Sequence, residues 1–381
     1  MKAKSIKGKS PEEIQLALQQ SMNDGFKPTL AIVFISVRQD REAVCKILND
    51  IGVSIYGATS NGEFINEDYE QGTIAILLLD INPQYFFIQY ADLDGKDDRK
   101  VTSSMATEAM RKFRNPAFLL TACNLQTDTE ELISGFTDLI KDVNISGGMA
   151  GDDLSFTDQY VFTGNNSGNR AVLTLAFDQD KVIMKARSSH GWKAFGTLKT
   201  ITKSDGKRIY SIDDEPALDI CLRYTGIPIN HPNLKMELIL NCALQLEKEE
   251  GYSIMRPGFD LFLDDHSILT MGRLPTGSKV RFSLPPDFDV IQKVVDENSS
   301  FKETEMPEAD ALVVYNCSGR LVTLGPFIGQ EIKGMQDVWN VPMAGMFSNA
   351  EIGRTKNGNV ELHNLTTCWV ALKEKESFDK A

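Results

Sequence analysis

The sequence predicts an α/β protein of mixed β-sheets with helices on their outer faces. It is expected to be built from duplicated strand-helix-strand-hairpin units in a pseudo-symmetric, two-module architecture. Three observations carry this. First, a small-residue phrase occurs three times in one register, as Gly57-Ala58-Thr59-Ser60-Asn61-Gly62-Glu63, Gly147-Gly148-Met149-Ala150-Gly151-Asp152-Asp153 and Gly345-Met346-Phe347-Ser348-Asn349-Ala350-Glu351. Each copy reads Gly, two variable residues, Ser or Ala, Asn or Gly, one variable residue, then an acid. Second, each follows a short apolar lead-in and precedes a strand-like run, the setting of a tight turn whose glycines supply φ > 0. Third, the order strand, helix, strand, phrase recurs, and such self-similarity marks duplicated units.

The elements follow in order. Ser10 is placed to cap a helix with Pro11 at its first position and Glu12 and Glu13 in its first turn, running to about Asn23. Thr29 to Val37 reads as a buried strand, Arg41 to Asp50 as a helix with Val44, Ile47 and Leu48 on one face, Ile51 to Tyr56 as a strand into the first phrase, and Gly72 to Asp80 as the strand that leaves it. The pattern restarts with a strand at Ala117 to Thr121, a helix from Thr127 to Lys141 capped by Thr127 or Asp128, and a strand at Val143 to Ser146 before the second phrase. Gln159 to Thr163 and Arg170 to Phe177 then suggest a hairpin across Gly164 to Gly168. The third copy has a strand at Ala311 to Tyr315, a helix near Ile328 to Trp339, the phrase, and a strand at Leu365 to Leu372. Lys235 to Cys242 resembles the start of a fourth copy, as a strand. Between the second and third copies, His190 to Thr202 is strand-rich and Asp213 to Pro216 opens a helix through Tyr224. Gly226 to Pro232 is the linker candidate, with a module boundary between residues 215 and 232.

Composition narrows the partners. The formal charge is -13 over 381 residues, which disfavours nucleic acid and anionic membrane surfaces. No run approaches the roughly 18 to 20 apolar residues of a membrane span. The basic opening, Met1 to Lys9, is followed by Pro11-Glu12-Glu13 rather than an apolar core, so no signal peptide is expected. Six cysteines without CxxC spacing read as reduced thiols of a cytoplasmic protein, with no zinc site.

Several phrases resemble a known family. Ser-Gly-Gly-Met-Ala-Gly-Asp-Asp at 146 to 153, Asn-Cys-Ser-Gly-Arg at 316 to 320, Val-Pro-Met-Ala-Gly-Met-Phe-Ser-Asn-Ala-Glu-Ile-Gly at 341 to 353 and His363-Asn364-Leu365-Thr366 are similar to the FIST sensory proteins. The resemblance runs from about residue 28 to 372. It implies an N-terminal helix at 1 to 27, a FIST N-terminal module at 28 to 215 and a FIST C-terminal module at 216 to 381. It further implies a bacterial, cytoplasmic sensor of a small ligand, amino acids included, acting in signal transduction. The standalone type has a separate signalling partner, such as a histidine kinase or a cyclic-dinucleotide enzyme. Some members are haem-binding nitric oxide sensors; here the best axial residue would be His363, although no cofactor is expected.

The residues themselves point to a ligand site at the phrases. Loops of small residues at the end of an α/β sheet leave room for a guest, and freed backbone amides can hold a carboxylate. On that reading Gly57, Ser60, Asn61, Gly147, Gly148, Gly345, Ser348 and Asn349 shape the site, while Glu63, Asp152, Asp153 and Glu351 hold an ammonium. Arg320 is the candidate cation for a carboxylate and Cys317 stands beside it. The plain alternative is that each phrase is a turn whose acid caps free amides, and that Arg320 is an ion-pair arginine. An enzyme is the competing class, through Cys317 or Cys123. Neither has a histidine nearby in sequence, and a buried structural thiol is the simpler account. No phrase has Walker A or GxGxxG spacing, and none has EF-hand spacing for a metal.

Overall fold

The computed structural model describes residues 1–123 and 127–376. Its order is set by three units with one plan. In each, two parallel strands joined by a helix form the centre: Leu30–Ser36 with Ser54–Ser60, Pro116–Ala122 with Asn144–Met149, and Ala311–Cys317 with Met343–Ser348. A later strand of the same unit runs antiparallel beside the first of each pair: Ile74–Asp80, Ala171–Asp178 and Thr367–Glu374. An outer strand follows, namely Lys2–Gly8, Phe86–Asp92 and Val182–Ser189. The sheets are mixed because the helical crossover makes a parallel pair while the return strand is antiparallel.

The alternation of side chains explains why these strands read as continuous apolar runs. Leu30, Ile32 and Phe34 point into a core shared with Leu119, Leu173 and Leu175 of the second sheet and Val313, Tyr315 and Val370 of the third. Ala31, Val33 and Ile35 point the other way, onto Ile14 and Leu18 of the helix Pro11–Met22 and Val44 and Leu48 of the helix Arg41–Asn49. Both faces are covered, so both alternate sets are apolar. Three sheets thus enclose one core, with helices outside. At its centre the Tyr56 hydroxyl lies 2.5 Å from Thr121 Oγ1 and 3.5 Å from the Tyr315 hydroxyl, one group from each unit.

The hairpins after the phrases close a ring. The hairpin Glu63–Glu70 of the first unit pairs with Met343–Ser348 of the third. The hairpin Glu351–His363 of the third pairs with Asn144–Met149 of the second, and Val161–Gly168 of the second pairs with Ser54–Ser60 of the first. Each unit therefore completes the edge of its neighbour's sheet, and no unit can bury its own edge alone.

The third unit carries an insertion between its outer strand, which ends at Ser189, and its first helix, Phe288–Thr304. A seven-stranded antiparallel sheet fills it, with strands from Ala194–Asp205 to Lys279–Ser283. Its own core joins Ile201, Ile209 and Ile212 to Leu218, Leu244, Ile254 and Phe282. Gly226 to Pro232 lies within this insertion, between the helices Ala217–Thr225 and Leu234–Asn241.

Three expectations change. Lys235 to Cys242 is helical, because Leu234 and Leu238 are buried four residues apart and Leu, Lys, Met and Glu all favour a helix. Arg170 to Phe177 does not pair back on Gln159 to Thr163. Val161–Phe162 meets Ser167–Gly168, and Ala171–Asp178 enters a different sheet. Finally, the first three or four residues of the phrases are not turns. Gly57 to Ser60, Gly147 to Met149 and Gly345 to Ser348 continue their strands, and the chain bends only afterwards.

Candidate functional site at the junction of the repeats

The three phrases meet where the parallel strands end. Asn61 Nδ2 donates to Asn349 Oδ1 at 2.8 Å, and Asn61 Oδ1 accepts from the amides of Asp152 and Leu154 at 3.0 and 2.9 Å. Asn349 Nδ2 donates to the Ala150 carbonyl at 2.8 Å. Backbone bonds complete the lacing, from Gly151 N to Thr59 O, from Phe347 N to Gly62 O and from Met149 N to Ala350 O. Gly151 stands where the other two copies have Asn. A Cβ there would come within 2.5 Å of the Asn61 amide, so the second unit gives up its side chain to let the other two meet. The strand glycines answer the same crowding. A Cβ at Gly57 would overlap the Phe162 ring, at Gly147 the Leu120 carbonyl, at Gly148 the Tyr315 ring and at Gly345 the Phe64 ring.

The acids of the phrases turn inward. Glu63 is fully buried and accepts from Ser60 Oγ and from Thr73 N and Oγ1 at 2.8 and 3.0 Å. Burial outweighs these bonds and pushes its carboxyl up to about 7. Glu351 accepts from Ser348 Oγ at 2.7 Å, and burial holds its carboxyl well above the usual range. Its Oε2 has no partner among the described residues. Asp152 takes the amides of Phe156, Thr157 and Asp158 and the Gln159 Nε2, the last at 2.9 Å. Asp153 pairs with Arg38 Nε at 2.8 Å and Ser36 Oγ at 2.6 Å. The loop that follows Asp152 is strained: Asp153, Leu154 and Phe156 have φ of 56°, 65° and 55°. Such conformations cost about 1–3 kcal/mol each and cluster at functional sites.

Arg320 finds its carboxylate inside the protein. It is wholly buried, with Nη2 and Nε on Glu331 and Nη1 donating to the carbonyls of His190 at 2.6 Å and Leu365 at 3.0 Å. Glu331 Oε1 also accepts from Asn316 Nδ2 at 2.9 Å and Thr367 Oγ1 at 2.6 Å. The bidentate match is present, but with a helix residue that no phrase contains. Beside it the Cys317 thiol is pushed up, first by burial and then by Glu351, and burial raises Cys123 to about 11. A thiol nucleophile requires the opposite shift.

His363, the candidate axial residue, lies in the hairpin after the third phrase, and its Nδ1 has no partner among the described residues. Its ring is buried, its Nε2 faces the Gly353 carbonyl at 3.2 Å, and burial lowers its pKa to about 3. Its neighbours Leu362 and Asn364 line a cavity of about 140 Å³.

That cavity is the open space at the junction. One wall is formed by Met149, Ala150, Asn349 and Ala350 of the second and third phrases, and the facing wall by Phe259, Leu269, Thr270 and Met271 of the insertion. Thr127, Thr129, Gln159, Lys207, Leu362 and Asn364 close it. Most of its polar groups are already bonded: Thr127 Oγ1 to Cys123 O, Thr270 Oγ1 to Lys207 O and Gly272 O, Gln159 Nε2 to Asp152. Asn364 differs. It is 1% exposed, and neither its amide oxygen nor its nitrogen has a partner among the described residues. An unmet buried amide costs about 1–3 kcal/mol, so a site that keeps one calls for an explanation. Lys207 also lacks a carboxylate within 4.0 Å among those residues.

The insertion is clamped over this space. Arg273 reaches Asp128 and, at 3.0 Å, Glu131, while its backbone N donates to Glu130 at 3.2 Å. The buried Arg256 approaches Glu130 at 3.4 Å and donates to the Leu362 carbonyl at 3.0 Å. These acids begin the helix Thr129–Thr137, whose first residue Thr129, with Thr127 just before the cap, lines the cavity.

Of the candidate site residues only Asn349 lines the cavity; the four acids, Arg320 and Cys317 are not in its lining. Asn364 was visible in the His363 to Thr366 motif, but Gln159, Lys207 and Thr270 carry no pattern that sets them apart. The geometry is that of a mixed α/β protein with a small cavity between repeated units and an inserted sheet. Family models match residues 29–215 as a FIST N domain and residues 217–354 as a FIST C domain, so the chain belongs to the FIST family. No curated protein matches it. FIST domains are sensory domains, which associates the chain with small-ligand binding and signal transduction. Among the described residues no helix is long and apolar enough to cross a membrane.

Proposed function

We propose that the protein senses a small polar metabolite, an amino acid or similar zwitterion, bound in the cavity beside Asn364. The observation that carries this reading is the buried, unpartnered amide of Asn364, a residue that lines the cavity. At roughly 10–15 Å³ for each water-sized group, 140 Å³ suits a molecule of amino-acid size. Its apolar walls would take a side chain, Lys207 a carboxylate, and the oxygens of Asn364 and Gln159 an ammonium. A ligand there touches the second unit, the third unit and the insertion together. Binding would shift how firmly the insertion is held at the Arg273 clamp, and a separate protein, such as a histidine kinase or a cyclic-dinucleotide enzyme, would read that shift. All six cysteines are unpaired, which suits a reducing cytoplasm.

The test is a thermal-shift screen of amino acids and small metabolites against wild type and Asn364→Leu. A ligand of the native state raises the midpoint by mass action. The reading expects a compound that stabilises wild type and not the variant. A screen without any hit, or a hit that Asn364→Leu leaves untouched, refutes the site.

A further inference from the structure

We infer a second binding site, for a small oxyanion, a phosphate- or carboxylate-bearing metabolite, in the polar cleft at the root of the insertion. This goes beyond the sensor reading and uses none of the cavity residues. The cleft is about 700 Å³ and opens where the strand Val182–Ser189 leaves the third unit to enter the insertion. Such a volume lies within the range of ordinary ligand sites.

Its floor carries unmet hydrogen-bonding groups. Arg187 Nε and Ser189 Oγ are buried without a partner among the described residues, and so is Thr355 Oγ1 from the loop that follows the third phrase. Arg187 and Ser189 are two apart on one strand and so share a face. That face looks to the helix Phe288–Thr304, since the Arg187 guanidinium lies 5.4 Å from the Phe301 ring. Arg187 cannot swing away, because its Nη2 is held by Glu305.

The charges of the rim complete the argument. Glu305 is engaged by Arg187, Glu247 by Arg281 at 3.3 Å, and Lys193 by Asp287 at 3.0 Å and by Asp289. Lys293 and Lys356 remain, with no carboxylate within 4.0 Å among the described residues, and Glu250 and Glu297 likewise have no cation within that distance, Glu297 standing one turn from Lys293 on the same helix. The lining therefore has as many cations as anions in a chain whose formal charge is -13. His190 does not compete for the anion. Its Nδ1 accepts from Trp192 N at 3.0 Å, which leaves Nε2 to donate to Ser253 Oγ at 3.2 Å. The free groups of the lining are thus a guanidinium N–H and the hydroxyls of Ser188, Ser189 and Thr355, with the ammonium groups of Lys293 and Lys356 and the carboxylates of Glu250 and Glu297 at the rim. A guanidinium N–H, hydroxyls and ammonium groups are the donor types that hold an oxyanion.

Calorimetric titration of the full chain with inorganic phosphate and, separately, with succinate at constant ionic strength tests this. Saturable binding of at least one probe is expected, weakened about tenfold by Ser189→Ala and by Lys293→Gln. Both variants should fold, since one removes an unpartnered hydroxyl and the other an exposed charge. Binding of phosphate alone assigns a phosphate-bearing ligand, binding of succinate alone a carboxylate-bearing one, and Asn364→Leu should retain either. If neither probe binds saturably, or if both variants bind as wild type does, the site is refuted.

Discussion

Glu63→Gln tests whether the junction holds a buried carboxyl with a displaced proton equilibrium. Burial raises the Glu63 carboxyl from an ordinary 4.5 to about 7, the bonds from Ser60 and Thr73 offsetting only part of that shift. Below pH 4.5 both folded and unfolded chains carry the proton and nothing is gained or lost. Between pH 4.5 and 7 the unfolded chain releases it while the native state keeps it, so native stability falls as pH rises, and above 7 the loss is complete. At 1.36 kcal/mol per pKa unit the total is about 3 kcal/mol. Glutamine can keep the bonds, with Oε1 toward Thr73 and Nε2 donating to a reoriented Ser60 hydroxyl, and it has no charge to desolvate. The variant should match wild type near pH 4.5 and exceed it at pH 8. With an unfolding entropy of about 0.8 kcal/mol per kelvin for a chain of this length, the gain at pH 8 is about 4 °C. Thermal melts at several pH values read it directly. Parallel profiles for the two proteins would refute the argument.

Four further outcomes follow from the same geometry. Asn364→Leu should melt no lower than wild type in ligand-free protein, and up to about 2 kcal/mol higher in stability, because it removes an unpartnered buried amide; a marked loss by differential scanning would show that Asn364 is bonded after all. Arg320→Met should cost about 3–5 kcal/mol by leaving Glu331 buried and unpaired, seen as a lower midpoint or loss of soluble protein. Gly151→Ala should destabilise by about 1–3 kcal/mol, since its Cβ collides with Asn61 and parts the Asn61–Asn349 bond. His190, held neutral with a pKa near 3 by burial, supports stability above pH 6.5 that is lost as pH falls toward 3; His190→Asn should flatten the acid limb of the melting curve.

Much of the fold could be read from the chain. Ser10, Asp40 and Asp128 cap their helices through side-chain oxygens, as short polar residues at helix starts should. The buried strands announced themselves as apolar runs because both of their faces are covered. The helix Ile328–Trp339 was legible from its spacing. Less legible was the short run at Lys235, where four apolar residues fit a strand and a helix equally until Leu234 and Leu238 are seen buried together.

The site divides along a similar line. By itself the sequence determined that one phrase recurs at the same place in repeated units, that these units are α/β, and that the small residues mark close approach of backbone, all local properties of composition and period. It could not determine that three units, rather than two, form a ring by exchanging hairpins, since strand partners chosen across hundreds of residues leave no periodic trace. Nor could it say which polar groups would be left over. Arg320 could equally hold a ligand or an ion pair until Glu331 stood opposite it, and Asn364 looked ordinary until nothing did. Whether a polar side chain is satisfied depends on what long-range packing brings to it, and only the tertiary structure decides that.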